Sequence, residues 1–468
     1  METYESLLAA VAAADGGRPV VDPATDRVLG RAPERGTGDL EQAVAAARAA
    51  QPDWEALGHQ ERSRLLNAAA DAVDRSAEAL AQLITREQGK PLNGPGSRFE
   101  AGGVAAWLRA TAATPLEPVR VLDDESGQAT LGYRAAGLVG AIGPWNWPAL
   151  IATWQLAPAL RMGNTVVMKP SEHTPLSVLA LAAIVNRVLP EGVLTVLPGG
   201  GDLGAAMAAH PAFDKLMFTG STRTGKAITS ASAGHLPRLT LELGGNDPGI
   251  VLADADPAAI AEDLFWGAFI NTGQTCAALK RLYVHESLHG EVVDALADMA
   301  VRTPMGPGTD EKSLLGPLTT AAQFGIVDDL VEQAKAAGGR LVTGGDPDRD
   351  AAGNFYPTTL VTGLGDEAPL VAQEQFGPAL PIVAYSDLDA AIAQANALDV
   401  GLGASVWSGD AERAKQVAAR IEAGTVWINK HGTVHPMVPF GGVKGSGYGL
   451  EFGAEGLKSV AVPQVIAT

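Results

Sequence analysis

Apolar positions recur with a helical period over residues 39–51 and 59–90, two alanine-rich segments that read as amphipathic helices. Asp39, followed three residues later by Gln42, has the form of a capping box at the first of them. Polar Gly/Pro-rich breaks at 89–97 and 122–128 interrupt the helical stretch. From residue 131 the texture changes. Short apolar runs at 138–142, 165–168, 193–197, 215–218 and 249–252 are separated by segments 149–161, 175–189, 202–209 and 224–233, each long enough for a crossover helix. Strands apolar on both faces that alternate with helices specify a parallel sheet covered on both sides. The block 245–445 repeats this texture, with helices expected at 257–270, 287–302, 321–337, 387–397 and 410–423. Its expected strands are 280–284, 339–343, 357–361, 380–384 and 424–428. The reading is an α/β protein of two α/β domains in series, with a cleft between them as the default site.

A chain of 468 residues exceeds one ordinary domain, and 46% hydrophobic against 19% charged residues excludes a disordered chain. The formal charge of −19 argues against nucleic acid or an anionic membrane as partner. A single cysteine excludes an intrachain disulfide and a cysteine-rich metal site. No apolar run is long enough to span a bilayer, and the acidic N-terminus lacks the basic start of a secretory signal, so a cytoplasmic protein is expected.

Two motifs mimic chemistry they do not fit. His285-Glu-Ser-Leu-His289 matches H-E-x-x-H, but it starts at the end of a predicted strand, with Ser287 as the expected cap of the next helix. The two histidines then do not share a helix face, and no metal is expected. Gly220-Ser-Thr-Arg-Thr-Gly225-Lys-Ala227 has Ala227 where a P-loop needs a hydroxyl for magnesium. A strand before it and a helix after it still suit an anion such as a pyrophosphate, although a plain Gly-rich turn accounts for it equally well.

Other residues are better placed. Cys276 follows a polar turn containing Gly273, which suggests an exposed thiol of lowered pKa, against the commoner role of a small buried hydrophobe. Glu242 sits in an apolar strand ahead of Gly244-Gly245, where burial would raise its pKa toward that of a general base. An outward-facing strand residue is the alternative. Asn146, in the loop Pro144-Trp145-Asn146-Trp147-Pro148 after a strand, could donate to an oxyanion or simply bond its own turn. Lys169 and Glu172 follow a buried strand, where they could meet a ribose, or form an ordinary solvated loop.

Together these segments resemble the aldehyde dehydrogenase superfamily. The resemblance runs through PWNWP (144–148), GNTVVMKPSEHTPL (163–176), FTGST (218–222), LELGG (241–245), GQTC (273–276), EQFGP (374–378) and PFGGVKGSGYG (439–449), in order over nearly the whole chain. It implies a nicotinamide-binding domain at 1–121 and 138–244, a catalytic domain at 245–445, and a bridging segment at 122–137 and 446–468 that builds a homodimer or homotetramer. It implies that Cys276 attacks the aldehyde, that Asn146 holds the oxyanion, and that Glu242 activates water, with Glu451 resembling a proton-relay glutamate. A helix-start carboxylate is the alternative for Glu451. Lys169 and Glu172 would hold the adenine ribose of NAD, with Trp145 in the adjoining loop. Gly220, Ser221 and Gly225 would hold the pyrophosphate, and Glu374 and Phe376 the nicotinamide riboside. Glu242 favours the acid-forming type over coenzyme A acylation, and Glu172 favours NAD over NADP by repelling a 2′-phosphate.

By the same resemblance the aldehyde pocket is lined by Trp147, Ile151, Trp154, Thr275 and Ala277, with the helix around Gly103 and Trp107 at its mouth. The loop from His431 to Phe440 closes it, and His431 and His435 are either hydrogen-bond partners of a polar substrate tail or surface residues. The apolar lining suits an uncharged aldehyde of moderate size. Ala278-Leu279-Lys280 departs from the Gly/Ser-containing stretch common after the cysteine. The rival readings are an NADP-preferring semialdehyde or amino-aldehyde dehydrogenase, and a non-catalytic dinucleotide-binding thiol sensor.

Overall fold

The structure is a computed structural model and describes residues 2–468. A six-stranded sheet runs in the order Gly447–Tyr448, Arg238–Glu242, Lys215–Thr219, Leu138–Ile142, Thr165–Lys169, Leu194–Val196. All its pairings are parallel except that of Gly447–Tyr448. Leu138–Ile142, Thr165–Lys169 and Lys215–Thr219 are buried at every position, which is why they read as unbroken apolar runs rather than alternating ones. Strand order reverses between Leu138–Ile142 and Lys215–Thr219, so a crevice opens at their carboxyl ends. The loops bearing Asn146, Lys169, Ser221 and Gly244 all leave the sheet at that end.

A second, seven-stranded sheet has the order Arg340–Thr343, Thr359–Thr362, Ala379–Tyr385, Leu279–His285, Asp247–Val251, Gly403–Trp407, Thr425–Ile428, parallel but for its first strand. A third sheet is antiparallel, with Gly127–Ala135 between Val119–Asp124 and the last strand, Ala461–Ala467. Gly447–Tyr448, expected in the bridging segment, instead extends the first sheet.

Several expected boundaries move. The helix expected at 39 begins at Thr37, and Gly36 is its cap. Asp39 is therefore not the cap. It is the third helical residue, and its carboxylate accepts from the Gly36 N–H at 3.0 Å. The helix expected from Ser287 begins at His289, because the Ser287 hydroxyl bonds the His285 ring at 2.8 Å instead of capping. The hairpin of Arg18–Asp22 with Arg27–Ala32 was absent from the expected elements, as was the helix Tyr4–Val11. Among the described residues no helix is long and apolar enough to cross a membrane, and no cluster of three ligand-type side chains could hold a metal.

Asn164 ties the first sheet to the C-terminal segment. Buried in a turn, it accepts from the Gly137 N–H at 2.8 Å and donates to the carbonyls of Ala159 and Val460, both at 2.9 Å. Replacing it with alanine orphans two buried backbone groups, the Gly137 N–H and the Val460 carbonyl, each costing roughly 1–3 kcal/mol, while the Ala159 carbonyl keeps the Asn164 backbone N–H at 3.0 Å. Asn164→Ala is expected to lower the urea midpoint of unfolding without changing the slope. An unchanged midpoint would contradict this linchpin role.

Candidate functional site

Three chain segments converge at the crevice. The first is the loop after Ile142. Asn146 is buried there, and its side-chain Nδ2 donates to the Gln274 carbonyl at 3.0 Å. Its own backbone carbonyl accepts from Lys90 Nζ and from Asn271 Nδ2, each at 2.8 Å. Lys90 pairs with Glu100 at 2.5 Å, and both side chains are fully buried. Glu100 in turn accepts from the N–H groups of Ala149 and Leu150 at 2.9 and 3.1 Å, at the start of the helix Pro148–Arg161. The Asn146 amide is thus held against the turn that leads into Cys276, with one N–H on the Gln274 carbonyl and the other uncommitted.

The second segment carries the thiol. A short 3-10 turn, Ile270–Gly273, precedes it, and Asn271 and Thr272 lie in the left-handed region at φ 51 and 57. Phe376 (φ 47) and Phe452 (φ 67), which flank the same site, are also left-handed. Such strain costs about 1–3 kcal/mol per residue and persists only where surrounding contacts enforce it. Here Gln274 does so, donating to the Asn271 and Pro317 carbonyls and accepting from the Thr319 N–H. Cys276 itself is half-buried, against an aromatic cluster of Trp107, Trp147, Trp154, Phe440 and Phe452.

Contrary to the expectation of an acidified thiol, desolvation pushes Cys276 up to about 12. Lys280 opposes the shift, while Glu242, Asp247 and Glu374 add to it. The turn supplies no positive end of a helix to the sulfur, because the residues after it pass directly into the strand Leu279–His285.

The third segment is the end of the strand Arg238–Glu242. Glu242 is buried, not outward-facing, and neither carboxylate oxygen has a hydrogen-bond partner among the described residues. Burial raises its pKa well above the usual carboxylate range, and the neighbouring Glu451 raises it further. Glu451 is also buried and stands at about 8, with Lys215 opposing the shift. Lys215, on the adjoining strand, is pushed down to about 7 by burial and donates to Thr240 Oγ1 at 2.6 Å. Backbone bonds between Phe440 and Glu451 bring the closing loop onto this group.

Residues that could hold a dinucleotide lie beside this centre. The Lys169 ammonium lies 3.9 Å from Glu172, which also faces Arg18 at 4.0 Å. Ser221 caps the helix Thr222–Ser232, and Gly225 packs so closely that a Cβ would lie 2.7 Å from Leu243. Glu374 occupies space that any side chain at Gly244 would fill, and Phe376 stacks edge-on against Trp145 at 5.4 Å. The glycines thus let Leu243 and Glu374 pack closely, while the N-terminus of the helix Thr222–Ser232, opening at the crevice behind Ser221, is the part suited to a phosphate-bearing ligand.

Of the residues expected to line a pocket, Trp147, Trp154, Ala277 and Phe440 join the aromatic cluster, and Trp147 donates to Thr275 Oγ1 at 2.9 Å. Ile151 belongs to the cluster but is fully buried within its helix. His431 does not line the pocket: its side chain is buried, bonds Ser405 Oγ at 2.9 Å and faces Asp247 at 3.7 Å. The reason is packing, since its ring sits against Trp427 and its Cβ against Gly267. His435 is exposed. Phe452, Lys90 and Lys215 escaped the sequence reading. Lys215 carries a legible signal, a lysine opening a strand that is otherwise largely apolar.

A half-buried thiol and two paired buried carboxylates thus meet at the switch point of a parallel sheet, the place where α/β proteins of this class bind their ligands. Comparison with known proteins narrows the class. Residues 11–466 match the aldehyde dehydrogenase family. Retinaldehyde dehydrogenase 3 of Mus musculus is 38% identical over 446 residues, covering 92% of this chain and 86% of its own. Phenylacetaldehyde dehydrogenase of Pseudomonas fluorescens is 38% identical over 457 residues, covering 94% and 90%. The crystal structure of PnpE from a Pseudomonas species, in complex with nicotinamide adenine dinucleotide, superposes with a TM-score of 0.93 at 35% identity, over 98% of this chain and 95% of that one. The chain belongs to the aldehyde dehydrogenase family and is an oxidoreductase acting on aldehydes.

With one cysteine in the chain, thiol alkylation reports Cys276 alone. A thiol at about 12 predicts an iodoacetamide rate that climbs about tenfold per pH unit from pH 7 to 10. A plateau below pH 9 would contradict the desolvated environment.

Proposed function

We propose that the chain oxidises an aldehyde to a carboxylic acid, with NAD as hydride acceptor, through a thioester on Cys276. The observation that supports it most is the Glu242 carboxyl, buried without a partner and close enough to Cys276 to raise the thiol's pKa. In this reading Glu242 takes the thiol proton, and the Cys276 sulfur adds to the aldehyde carbon. The oxygen that becomes anionic is held by Asn146 Nδ2–H and the Cys276 N–H. NAD, when bound, accepts the hydride that leaves this carbon, so the carbon is oxidised to a thioester. Glu242 first hands the thiol's proton on through Glu451; it then draws a proton from water, the hydroxyl adds to the thioester carbon, and as the carbon–sulfur bond breaks that second proton returns to the departing sulfur, releasing acid and thiol. Lys169, Glu172, Trp145 and the Gly220-Ser221 turn would bind the cofactor's adenosine and phosphates, and Glu374 and Phe376 its nicotinamide end.

The aromatic wall favours an apolar aldehyde of moderate size, in keeping with the names of the two relatives. The same reading assigns residues 1–121 and 138–244 to cofactor binding and 245–445 to the catalytic half. The third sheet then serves as an oligomerisation surface, since Val119, Val121, Val465 and Ile466 expose more than half their area along its edges. Unpaired apolar edges of this kind are ordinarily covered, here by a second copy.

Glu242→Gln separates the half-reactions. At alkaline pH, where hydroxide in place of Glu242 can deprotonate the thiol, the variant is expected to release about one equivalent of reduced nicotinamide per chain and then slow sharply, while Cys276→Ala gives none. Undiminished steady turnover by either variant would sink the mechanism. Only the ionised Glu242 accepts a proton, and burial raises its pKa, so wild-type turnover is expected to keep rising with pH beyond the range in which an ordinary carboxylate is already ionised.

Glu172 would repel a 2′-phosphate, so Glu172→Gln is expected to raise kcat/KM for NADP relative to NAD by about tenfold. An unchanged ratio would remove Glu172 from cofactor selection.

A further inference from the structure

Lys280 sits in the stretch that departs from the common pattern after the cysteine, and its side chain is almost completely buried. An unpaired ammonium is rarely stable there, so the partners are informative. Lys280 Nζ donates to the Cys276 carbonyl at 2.5 Å, to the Thr275 carbonyl at 2.9 Å and to the Ala278 carbonyl at 3.4 Å. It also pairs with Glu374 Oε1 at 3.3 Å and lies 5.8 Å from the Phe376 ring centre. Glu374 Oε1 in turn accepts from the Gly245 N–H at 3.3 Å. One ammonium therefore spans the loop that carries the thiol and the segment that carries Glu374 and Phe376.

We propose that Lys280 is a positioning residue for the nucleophile: its ammonium clamps the Cys276 loop by three carbonyls, biases the sulfur toward its thiolate, and is shared with Glu374, so that the two charges set the thiol's reactivity in opposite directions. The inference rests on the reading of Cys276 as the nucleophile. The charged groups acting on the thiol come from four elements. Glu242 ends one strand, Asp247 begins the next, Glu374 follows the helix Pro369–Ala372, and Lys280 lies in the strand Leu279–His285. Lys280 is the single cation among them, and the other three all disfavour the thiolate.

The geometry also separates this role from simple packing. Loss of a merely structural lysine would loosen the loop whichever partner was altered. A shared charge predicts opposite signs. Removing the ammonium withdraws the one favourable charge, whereas neutralising Glu374 leaves that ammonium committed to the Cys276 side alone.

The test measures iodoacetamide alkylation of the full-length, cofactor-free protein between pH 8 and 9, where Cys276 is the single thiol. Lys280→Met is expected to alkylate several-fold more slowly than wild type, Glu374→Gln several-fold faster, and Lys280→Arg close to wild type because it keeps the charge. Both Lys280→Met and Glu374→Gln changing the rate in the same direction would overturn the proposal, as would Lys280→Arg behaving like Lys280→Met. Should Lys280→Met fail to fold, Glu374→Gln alone decides: an unchanged or slower rate overturns the proposal. Alkylation does not depend on turnover, so a failure here is distinct from a failure of the Cys276 reading, which shows as undiminished turnover in Cys276→Ala.

Discussion

The buried pair of Lys90 and Glu100 is the constraint on which the site depends. Two charges with no exposure are costly to desolvate, and they are tolerable only when every donor and acceptor is used. Here they are used on each other and on the distant segment 146–150, and the adjoining Gln88 extends the network further. Lys90 follows Gly89, whose φ of 100 ends the helix Gly58–Gln88 and turns the lysine inward. Glu100 holds the first N–H groups of the helix Pro148–Arg161, and Lys90 holds the Asn146 carbonyl. Gln88 reaches Thr319, which binds Gln274 beside the thiol turn. Breaking any link strands a buried polar group, so the network is satisfied together or not at all.

That rigidity is what allows strain at the chemistry. Thr272, Phe376 and Phe452 hold left-handed backbone with side chains that ordinarily avoid it, beside Asn271, whose residue type tolerates it. They are sustained by hydrogen bonds from Gln274 and by the packed aromatic cluster, not by local preference. Gly273 completes the turn because its φ is 76 and any Cβ would collide with the Gly377 backbone. The cysteine is thereby fixed relative to the Asn146 amide without a long secondary-structure element of its own.

How much of this was legible follows the same division. Strands buried on both faces announce themselves as apolar runs, so the two parallel-rich sheets could be read from residues such as 138–142 and 215–218. The hairpin Arg18–Asp22 with Arg27–Ala32 could not, because its exposed positions mix charge with valine and carry no clean alternation. Asn146, Glu242 and Cys276 stood out because each is chemically unlike its apolar or glycine-rich surroundings. The burial of Lys90 and Lys280 did not, since a lysine beside a glycine, or one followed by an arginine as Lys280 is by Arg281, usually marks a solvated stretch, and burial is a property of tertiary packing. His431 was misplaced for the same reason. A polar residue in a Gly/Pro loop reads as surface or ligand-facing, yet Ser405, the partner that draws it inward, is distant in sequence.

The electrostatic consequence of burial has one sign for all these acids. An apolar wall that suits an aldehyde also disfavours every negative charge near it, so Glu242 and Glu451 are raised and the Cys276 thiol is raised with them. For the carboxyls the shift is useful, because a carboxylate of raised pKa is the stronger proton acceptor. For the thiol the same shift works against the thiolate, the form that attacks. In the proposed mechanism, a site that desolvates Glu242 as its base cannot avoid desolvating the nucleophile beside it. The remedy available is local and positive: a cation confined to the sulfur's own loop and kept off the base. Lys280 is the residue that meets that requirement, with its ammonium on the Cys276 carbonyl and no hydrogen bond to Glu242.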